Sequence, residues 1–177
     1  MVTPTDELLM ERFCRGDEAS FDALYFRLAP QVKGFLTHMV RDRALAEDLV
    51  QTTFLSLVRS RDRYQIGSTV ASWVFAIAAN AARDALRHQR LKVEVSDDSQ
   101  VDHGIEVPMG DPGLRTELEA AFAQLPPPQR EAVLLHKVHG LTFEQIATAL
   151  GTTSAAARIR AHRGYERLRA LLSHLES

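Results

Sequence analysis

The protein has 177 residues, of which 45% are hydrophobic and 25% are charged, and its formal net charge is −2. This length is sufficient to bury a core without disulfides or metal ions, and the single cysteine, Cys14, excludes an intrachain disulfide framework and a multi-cysteine zinc site. Acidic residues near the N-terminus argue against a signal peptide, and the most apolar run, 73–82, is too short to span a bilayer, so we expect a cytoplasmic protein without membrane insertion.

The first ninety residues carry a helical periodicity almost throughout, with no convincing strand. Breaks are predicted near Gly16, at 41–43 and at 61–69. In the helix predicted over 44–59, three residues at spacing i, i+4 and i+7 form the core stripe: Val50, Phe54 and Leu57. We therefore predict a small all-α domain over residues 1–90.

The other side of that helix carries an acid, an amide and a leucine, namely Asp48, Gln51 and Leu55. A leucine flanked by polar groups is typical of a protein-docking surface. A lone exposed leucine is also common, so the pattern alone leaves both interpretations open.

The helix predicted over 73–90 has a stripe of aromatic, amide and guanidinium groups at steps of three and four. These residues are Trp73, Ala76, Asn80, Arg83 and Arg87. Such a face suits stacking on unpaired bases and neutralising phosphates, although a tryptophan alone is more often a core residue. The preceding loop, 61–69, carries Arg61, Arg63 and Tyr64, and we interpret it as a place where a flipped-out base is held.

The segment 91–113 differs in composition from both of its neighbours. It carries six acidic residues against Lys92, lacks a helical period and contains prolines and glycines, so we predict a flexible acidic linker. The segments on either side hold a small excess of basic residues, which the linker conceals in the net charge. A second helical domain is predicted over 114–177.

This second domain is predicted to contain two helices joined by a short turn. Thr142 and Gln145 match a capping box, Gly151 ends the first helix, and Thr153 caps the second. The arrangement is the helix-turn-helix pattern, whose second helix enters the major groove of DNA. The alternative, a helical hairpin with a basic solvent face, is weakened because caps, turn glycine and arginines agree on one geometry.

The second helix of this pair has two contrasting faces at 100° per residue. Small apolar residues on one face predict close packing on the preceding helix; they are Ala157, Ala161, Gly164 and Leu168. The opposite face includes Arg158, Ile159, His162 and Arg163. We predict that the two arginines contact bases or phosphates and that the other two side chains fill the space between them.

Four blocks of sequence follow one another along the chain. They are AEDLVQTTFLSLVR at 46–59, WVFAIAAN at 73–80 with Asp84 and Arg87 downstream, LPPPQREAVLLHKVHGLTFEQIATALG at 125–151, and RIRAHRGYERLR at 158–169. In this order and spacing the chain resembles the extracytoplasmic-function (ECF) sigma factors of the sigma-70 family. The resemblance covers nearly the whole chain outside the linker.

The resemblance implies that the first domain binds core RNA polymerase and opens the minus-ten promoter element, while the second domain reads the minus-thirty-five element. It implies polymerase docking by Asp48, Gln51 and Leu55. It implies a minus-ten role for Asn80, Asp84, Arg87 and the 61–69 loop, and a promoter-facing role for Arg158, His162 and Arg163. Members of the family are commonly held by an anti-sigma factor, and we expect such a partner here.

We therefore expect a promoter-specificity factor and not an enzyme, with no cofactor and no metal. No nucleotide-binding glycine loop, metal-ligand cluster or nucleophile constellation is evident in the sequence. Two alternatives come from other classes: a helix-turn-helix regulator that acts without polymerase, and an adaptor that binds sigma or anti-sigma components. A net charge of −2 further predicts that the isolated chain binds DNA weakly.

Overall fold

A computed structural model describes residues 3–93 and 112–173, and every regular element within these ranges is helical. The elements are α1 (Asp6–Cys14), α2 (Glu18–Val40), α3 (Arg43–Arg59), a 3-10 turn (Arg61–Arg63), α4 (Val70–Val93), α5 (Pro112–Ala123), α6 (Pro127–Val133) with a π-helical continuation (Leu134–Val138), α7 (Phe143–Leu150) and α8 (Ser154–Leu172). The predicted all-α fold with a C-terminal helix-turn-helix is confirmed.

The first domain comprises α1 to α4, and its helices begin where the sequence supplies caps. The Thr5 hydroxyl accepts from the amide of Leu8 at the start of α1, and the Asp42 carboxylate accepts from the amide of Leu45 at the start of α3. The predicted core stripe of α3 is buried, as are Leu24, Leu28, Val32 and Phe35 of α2. The predicted linker begins inside α4, which continues to Val93; residues 94–111 lie outside the described ranges.

The second domain comprises α5 to α8, and α6 lies at its centre. Leu134 and Leu135, in the π-helical continuation of α6, are fully buried. The helix ends before Gly140, close to where the sequence predicts, and Gly140 takes a positive φ of 68°. A backbone conformation with φ in that region favours glycine because a Cβ would crowd the backbone.

The two domains pack against each other, which the sequence did not predict. Helix α4 contacts α7, and buried side chains from both domains form one continuous core. The imidazole ring of His139 lies against two phenylalanines of the first domain, with ring centroids 4.7 Å from Phe75 and 6.1 Å from Phe35. A histidine in this place is held in its neutral form because a charged ring would lose its hydration.

Acidification is expected to weaken the folded state through His139. Burial lowers the pKa of His139 to about 4, so between pH 6.5 and 4 the unfolded chain takes up a proton that the folded chain does not. The resulting loss in the free energy of unfolding between pH 8 and pH 5 is about 1 to 2 kcal/mol. Urea titrations at pH 8 and pH 5 should therefore show a smaller change in the free energy of unfolding for His139→Phe than for the parent. An equal change in both proteins would contradict the role of His139.

Candidate functional site

The helix-turn-helix is fixed by the local hydrogen bonds that the sequence predicts. The Thr142 hydroxyl accepts from the amide of Gln145 at 3.2 Å, and the Thr142 amide donates to the Gln145 side chain at 2.8 Å, which completes the capping box. Gly151 ends α7 in the left-handed conformation, and the Thr153 hydroxyl caps α8 through the amide of Ala156. The turn therefore sets the direction of α8 with little freedom.

One face of α8 is exposed and basic, and we call it the reading face. It comprises Arg158, Ile159, His162 and Arg163, all of them exposed. The Arg158 guanidinium lies 5.1 Å from the centroid of the Phe143 ring, which orients the arginine by a cation–π contact. Ile159 is 52% exposed, so an apolar side chain stands between the two arginines as predicted.

The opposite face of α8 packs as closely as its small residues allow. Ala157, Ala161 and Gly164 are buried. A Cβ built on Gly164 would lie 2.5 Å from Cγ2 of Val133 and 3.3 Å from the carbonyl oxygen of Gln129. Both neighbours belong to α6, so Gly164 makes its close approach to α6, while α8 also contacts the preceding helix α7, as predicted from the sequence.

The substitution Gly164→Ala is expected to destabilise the second domain. Overpacking a buried site costs about 1 to 3 kcal/mol, and the improved helix propensity of alanine returns about 1 kcal/mol. We therefore expect a net loss of about 1 kcal/mol in the free energy of unfolding measured in urea. In a Val133→Ala background the methyl group has room, so the same substitution should become neutral or stabilising; a loss of equal size in both backgrounds would disprove the steric explanation.

The predicted nucleic-acid stripe of α4 is only partly exposed: Asn80 and Arg87 face solvent, whereas Trp73, Ala76 and Arg83 are half-buried. Val74, Phe75, Ala78 and Ala82 across from the stripe are buried. Within the stripe, Nη1 of Arg83 donates to the Asn80 side-chain oxygen at 3.0 Å, and Nη2 of Arg87 donates to Asp84 at 3.0 Å. The structure thus joins these four residues in two hydrogen-bonded pairs.

The loop 61–69 is anchored to α4 by aromatic contact. The Tyr64 ring lies 5.3 Å from the Trp73 ring, and the Tyr64 hydroxyl donates to the carbonyl oxygen of Ser68. Burial, with the nearby carboxylate of Glu7, raises the pKa of Tyr64 to about 12, so the hydroxyl remains a donor at neutral pH. Tyr64 therefore braces the loop, while Ile66, which the sequence analysis did not single out, is 67% exposed at its tip.

Loop and helix-turn-helix together enclose a cavity of about 460 Å³, which we call the interdomain cavity. Tyr64, Trp73 and Ala76 line it from the first domain, and Glu144 and Thr148 of α7 line it from the second. The side-chain amide of Gln145 donates to the hydroxyl of Thr69 at 3.3 Å across its edge. The hydrogen bonds and charges around the Glu144 carboxylate lower its pKa, so it is ionised at neutral pH.

A second surface lies between α2 and α3, where Asp48, Gln51 and Leu55 are all exposed. Next to them is a groove of about 450 Å³, the α2–α3 groove, whose lining includes Tyr25, Phe26 and Gln51. Phe26 is 78% exposed and Leu55 is 55% exposed, so two large apolar side chains face solvent on neighbouring helices. The sequence could have indicated that Phe26 is exposed, because this residue does not belong to the buried stripe of α2.

Within residues 3–93 and 112–173, no group of three His, Cys, Asp or Glu side chains is arranged to hold a metal ion. The helices in these same ranges include none with the length and hydrophobicity that crossing a bilayer requires.

Two sigma-70 family models match this chain. The Sigma-70 region 2 model matches residues 24–92, and the Sigma-70 region 4 model matches residues 115–168. The RNA polymerase sigma factor CarQ of Myxococcus xanthus is 52% identical over 169 residues, which is 94% of this chain and 97% of CarQ. The RNA polymerase sigma-H factor of Pseudomonas aeruginosa is 31% identical over 91% of this chain and 90% of its own length.

Similarity extends to solved structures. The sigma factor RpoE of Bartonella quintana, solved in complex with the anti-sigma factor NepR, superposes with a TM-score of 0.79 at 26% identity. That comparison covers 86% of this chain and 96% of RpoE.

Proposed function

Because the chain belongs to the sigma-70 family, as an extracytoplasmic-function sigma factor, we propose that it binds core RNA polymerase and directs promoter-specific transcription initiation. The family assignment made from the sequence is confirmed. The observation that carries the proposal is the joint presence of both family regions on one chain, each with an exposed face suited to its task. The family is one of transcription initiation factors, and we propose that this chain has no enzymatic activity of its own and acts in the cytoplasm.

The second domain is proposed to read duplex DNA through the reading face. An α-helix fits the major groove, and arginine donates two hydrogen bonds to the O6 and N7 acceptors of guanine. Arg163 has no ion-pair partner among the described residues, so its guanidinium is free to reach a base or a phosphate. Nε2 of His162 lies 3.3 Å from the Glu166 carboxylate, and both side chains are exposed.

The first domain is proposed to capture the melted minus-ten strand. The stripe of α4 supplies Asn80, Arg83 and Arg87, with Asp84 beside it, and the 61–69 loop supplies Arg61 and Arg63. Unpaired bases stack on aromatic rings and hydrogen-bond through exposed edges, which duplex DNA does not offer. Trp73, held against Tyr64, is positioned at the mouth of this loop and is proposed as the stacking residue.

Docking to polymerase is assigned to Asp48, Gln51 and Leu55 together with the α2–α3 groove. Apolar side chains surrounded by polar ones are the usual composition of an interface centre and its rim. We propose that an anti-sigma factor, as bound by the similar RpoE, covers the same surface and so blocks polymerase. The domain boundaries 1–90, 91–113 and 114–177 remain part of this proposal.

A run-off transcription assay with core polymerase and the full chain tests the function. Initiation that depends on both the chain and the promoter supports a sigma factor. Sequence-specific footprints without polymerase would instead support an independent regulator, and failure in both assays would support an adaptor. Candidate templates come from genomic fragments enriched by the reconstituted holoenzyme, with core polymerase alone as the control.

The substitution Arg163→Ala is expected to lower run-off product at promoters that depend on the minus-thirty-five element. Loss of one bidentate base contact costs about 1 to 3 kcal/mol, which corresponds to roughly a tenfold or larger loss of promoter affinity. Arg169→Ala, which removes an exposed arginine outside the reading face, serves as the matched control. If both variants transcribe equally well, Arg163 has no role in promoter recognition.

A further inference from the structure

One arginine of the reading face is held against an aromatic ring. The Cζ atom of Arg158 lies 5.1 Å from the centroid of the Phe143 ring. Arg163, the other arginine of this face, has no such aromatic neighbour among the residues that the structure describes. An arginine loses considerable rotamer freedom when a ligand orders it, and an arginine that is already ordered loses less. Arg158 is therefore arranged for contact before DNA binds.

The Phe143 ring is itself fixed by its surroundings. Phe143 is the first residue of α7, directly after the capping-box residue Thr142, so the cap sets the position of its backbone. The ring is partly buried and packs on the core. The imidazole of His136 stacks with it, at 4.3 Å between ring centroids and 27° between ring planes. The ring therefore offers Arg158 a rigid surface.

The His136 ring is oriented by a hydrogen bond to the backbone. His136 lies in the π-helical continuation of α6, a rare conformation that is frequent at functional sites. Its Nδ1 lies 2.9 Å from the carbonyl oxygen of Leu141. Because a carbonyl oxygen only accepts, Nδ1 carries the proton and donates it to this bond. A series of contacts thus runs from His136 through Phe143 to Arg158 on the reading face.

A carboxylate restrains the same arginine by its charge. Glu144 follows Phe143 in α7, and its carboxylate accepts a hydrogen bond from the Ser154 hydroxyl at 3.2 Å. Hydrogen bonds, chiefly the one from its own backbone amide, lower the pKa of Glu144, and the positive charge of Arg158 lowers it further. Glu144 is ionised at neutral pH and attracts the guanidinium toward α7. Ring and carboxylate together limit the directions in which Arg158 points.

A guanidinium with a fixed direction can distinguish one base from another. Its planar fork donates two hydrogen bonds to O6 and N7 of guanine, and this geometry fails when the fork is turned. Adenine presents an amino donor where guanine presents O6, so a fixed fork rejects it. An aromatic ring orders the guanidinium through the cation–π contact and leaves its N–H donors available to a base.

We propose that Phe143, supported by His136, is a positioning residue that sets Arg158 to read one guanine of the minus-thirty-five element. The inference rests on the proposed function, and it assigns a specificity role to two residues outside the reading face. Each of them acts through Arg158 and does not touch the base. Loss of the ring should therefore relax the choice of base at one position of the element and leave the other positions unchanged.

A library of promoter templates with a randomised minus-thirty-five element tests this proposal, using holoenzyme made from core polymerase and the full chain. Each template carries a transcribed barcode that identifies its upstream element, so sequencing the run-off product gives the base preference at every position. The parent should prefer guanine at one position where Arg158→Ala has no preference. Phe143→Leu should lower that preference at least threefold. Phe143→Tyr, which keeps the ring, should retain it within twofold.

Phe122→Leu is the matched control, because Phe122 is a phenylalanine of the second domain whose ring contacts His38 of the first. Its base preferences should equal those of the parent. In an Arg158→Ala background, Phe143→Leu should cause no further change, since the residue through which it acts is absent. An unchanged guanine preference in Phe143→Leu, or a loss spread over all positions as destabilisation would give, overturns the inference.

Nuclear magnetic resonance of the free chain tests the support without transcription. Protons held over the face of an aromatic ring resonate upfield, so the side-chain protons of Arg158 should lie upfield of those of the exposed Arg169. This difference should disappear in Phe143→Leu, and its absence from the parent would overturn the inference. If the parent initiates but Arg158→Ala keeps every base preference, the inference alone fails. If the parent gives no promoter-dependent product, the proposed function fails, and the inference with it.

Discussion

Replacing Arg130 by alanine is expected to lower the free energy of unfolding by about 3 kcal/mol or more, because it leaves several buried carbonyl oxygens without a donor and each costs about 1 to 3 kcal/mol. Arg130 is 7% exposed, and its guanidinium donates to five carbonyl oxygens. Without the guanidinium, the carbonyl oxygens at the ends of α2 and α5 lose their hydrogen-bond donor inside a packed interface. Water cannot fully replace these hydrogen bonds there.

Urea unfolding followed by circular dichroism measures this loss. Arg130→Lys keeps the charge but has no planar fork, so it should recover only part of the stability. Arg169→Ala is the matched control, because an exposed arginine contributes about 0.5 kcal/mol or less. A loss below about 1 kcal/mol for Arg130→Ala would mean that the five hydrogen bonds do not act as a unit.

The second large effect is expected for Leu55→Asp, which should weaken binding to core polymerase at least tenfold. Leu55 is 55% exposed and flanked by Asp48 and Gln51, as expected of an apolar side chain that is buried only when a partner docks. Central apolar residues of an interface commonly contribute 2 kcal/mol or more, and each 1.4 kcal/mol changes the dissociation constant about tenfold. A carboxylate at this position would also be desolvated without a partner.

Fluorescence titration of labelled chain with core polymerase measures the dissociation constant. Leu91→Asp is a matched control, since Leu91 is also 55% exposed but lies at the far end of α4. Both variants should unfold at the same temperature as the parent, because neither residue belongs to the core. Unchanged affinity for Leu55→Asp would remove α3 from the proposed docking surface.

The helices and the helix-turn-helix could be predicted because their signals are local. Capping residues act over three positions, as Thr142 and Gln145 show, and a core stripe repeats within one or two turns. The reading face was predicted in the same way, from angles along one helix, and its four residues are exposed. The small size of Gly164 predicted a close helix–helix contact, but the sequence did not identify α6 as the helix that it approaches.

Other parts of the candidate site had no local signal. The groove beside Phe26 exists only because α2 and α3 lie next to each other, and Tyr64 braces the 61–69 loop only because Trp73 packs against it. Arg130 stands between Gln129 and Glu131, and nothing in this polar stretch distinguishes a buried cation from an exposed one. Its acceptors at the end of α2 lie 91 and 92 positions earlier in the chain.

By itself, the sequence determined the helical class, the capped ends of the helix-turn-helix, the reading face and the family, because each depends on residues a few positions apart or on motifs in a fixed order. The tertiary structure alone decided how the two domains meet. Arg83 could be assigned to a polar stripe from spacing, yet its partner Glu131 lies 48 positions away in the other domain. Contacts at that separation depend on how whole helices pack against each other, and the geometry of a single helix does not determine that packing.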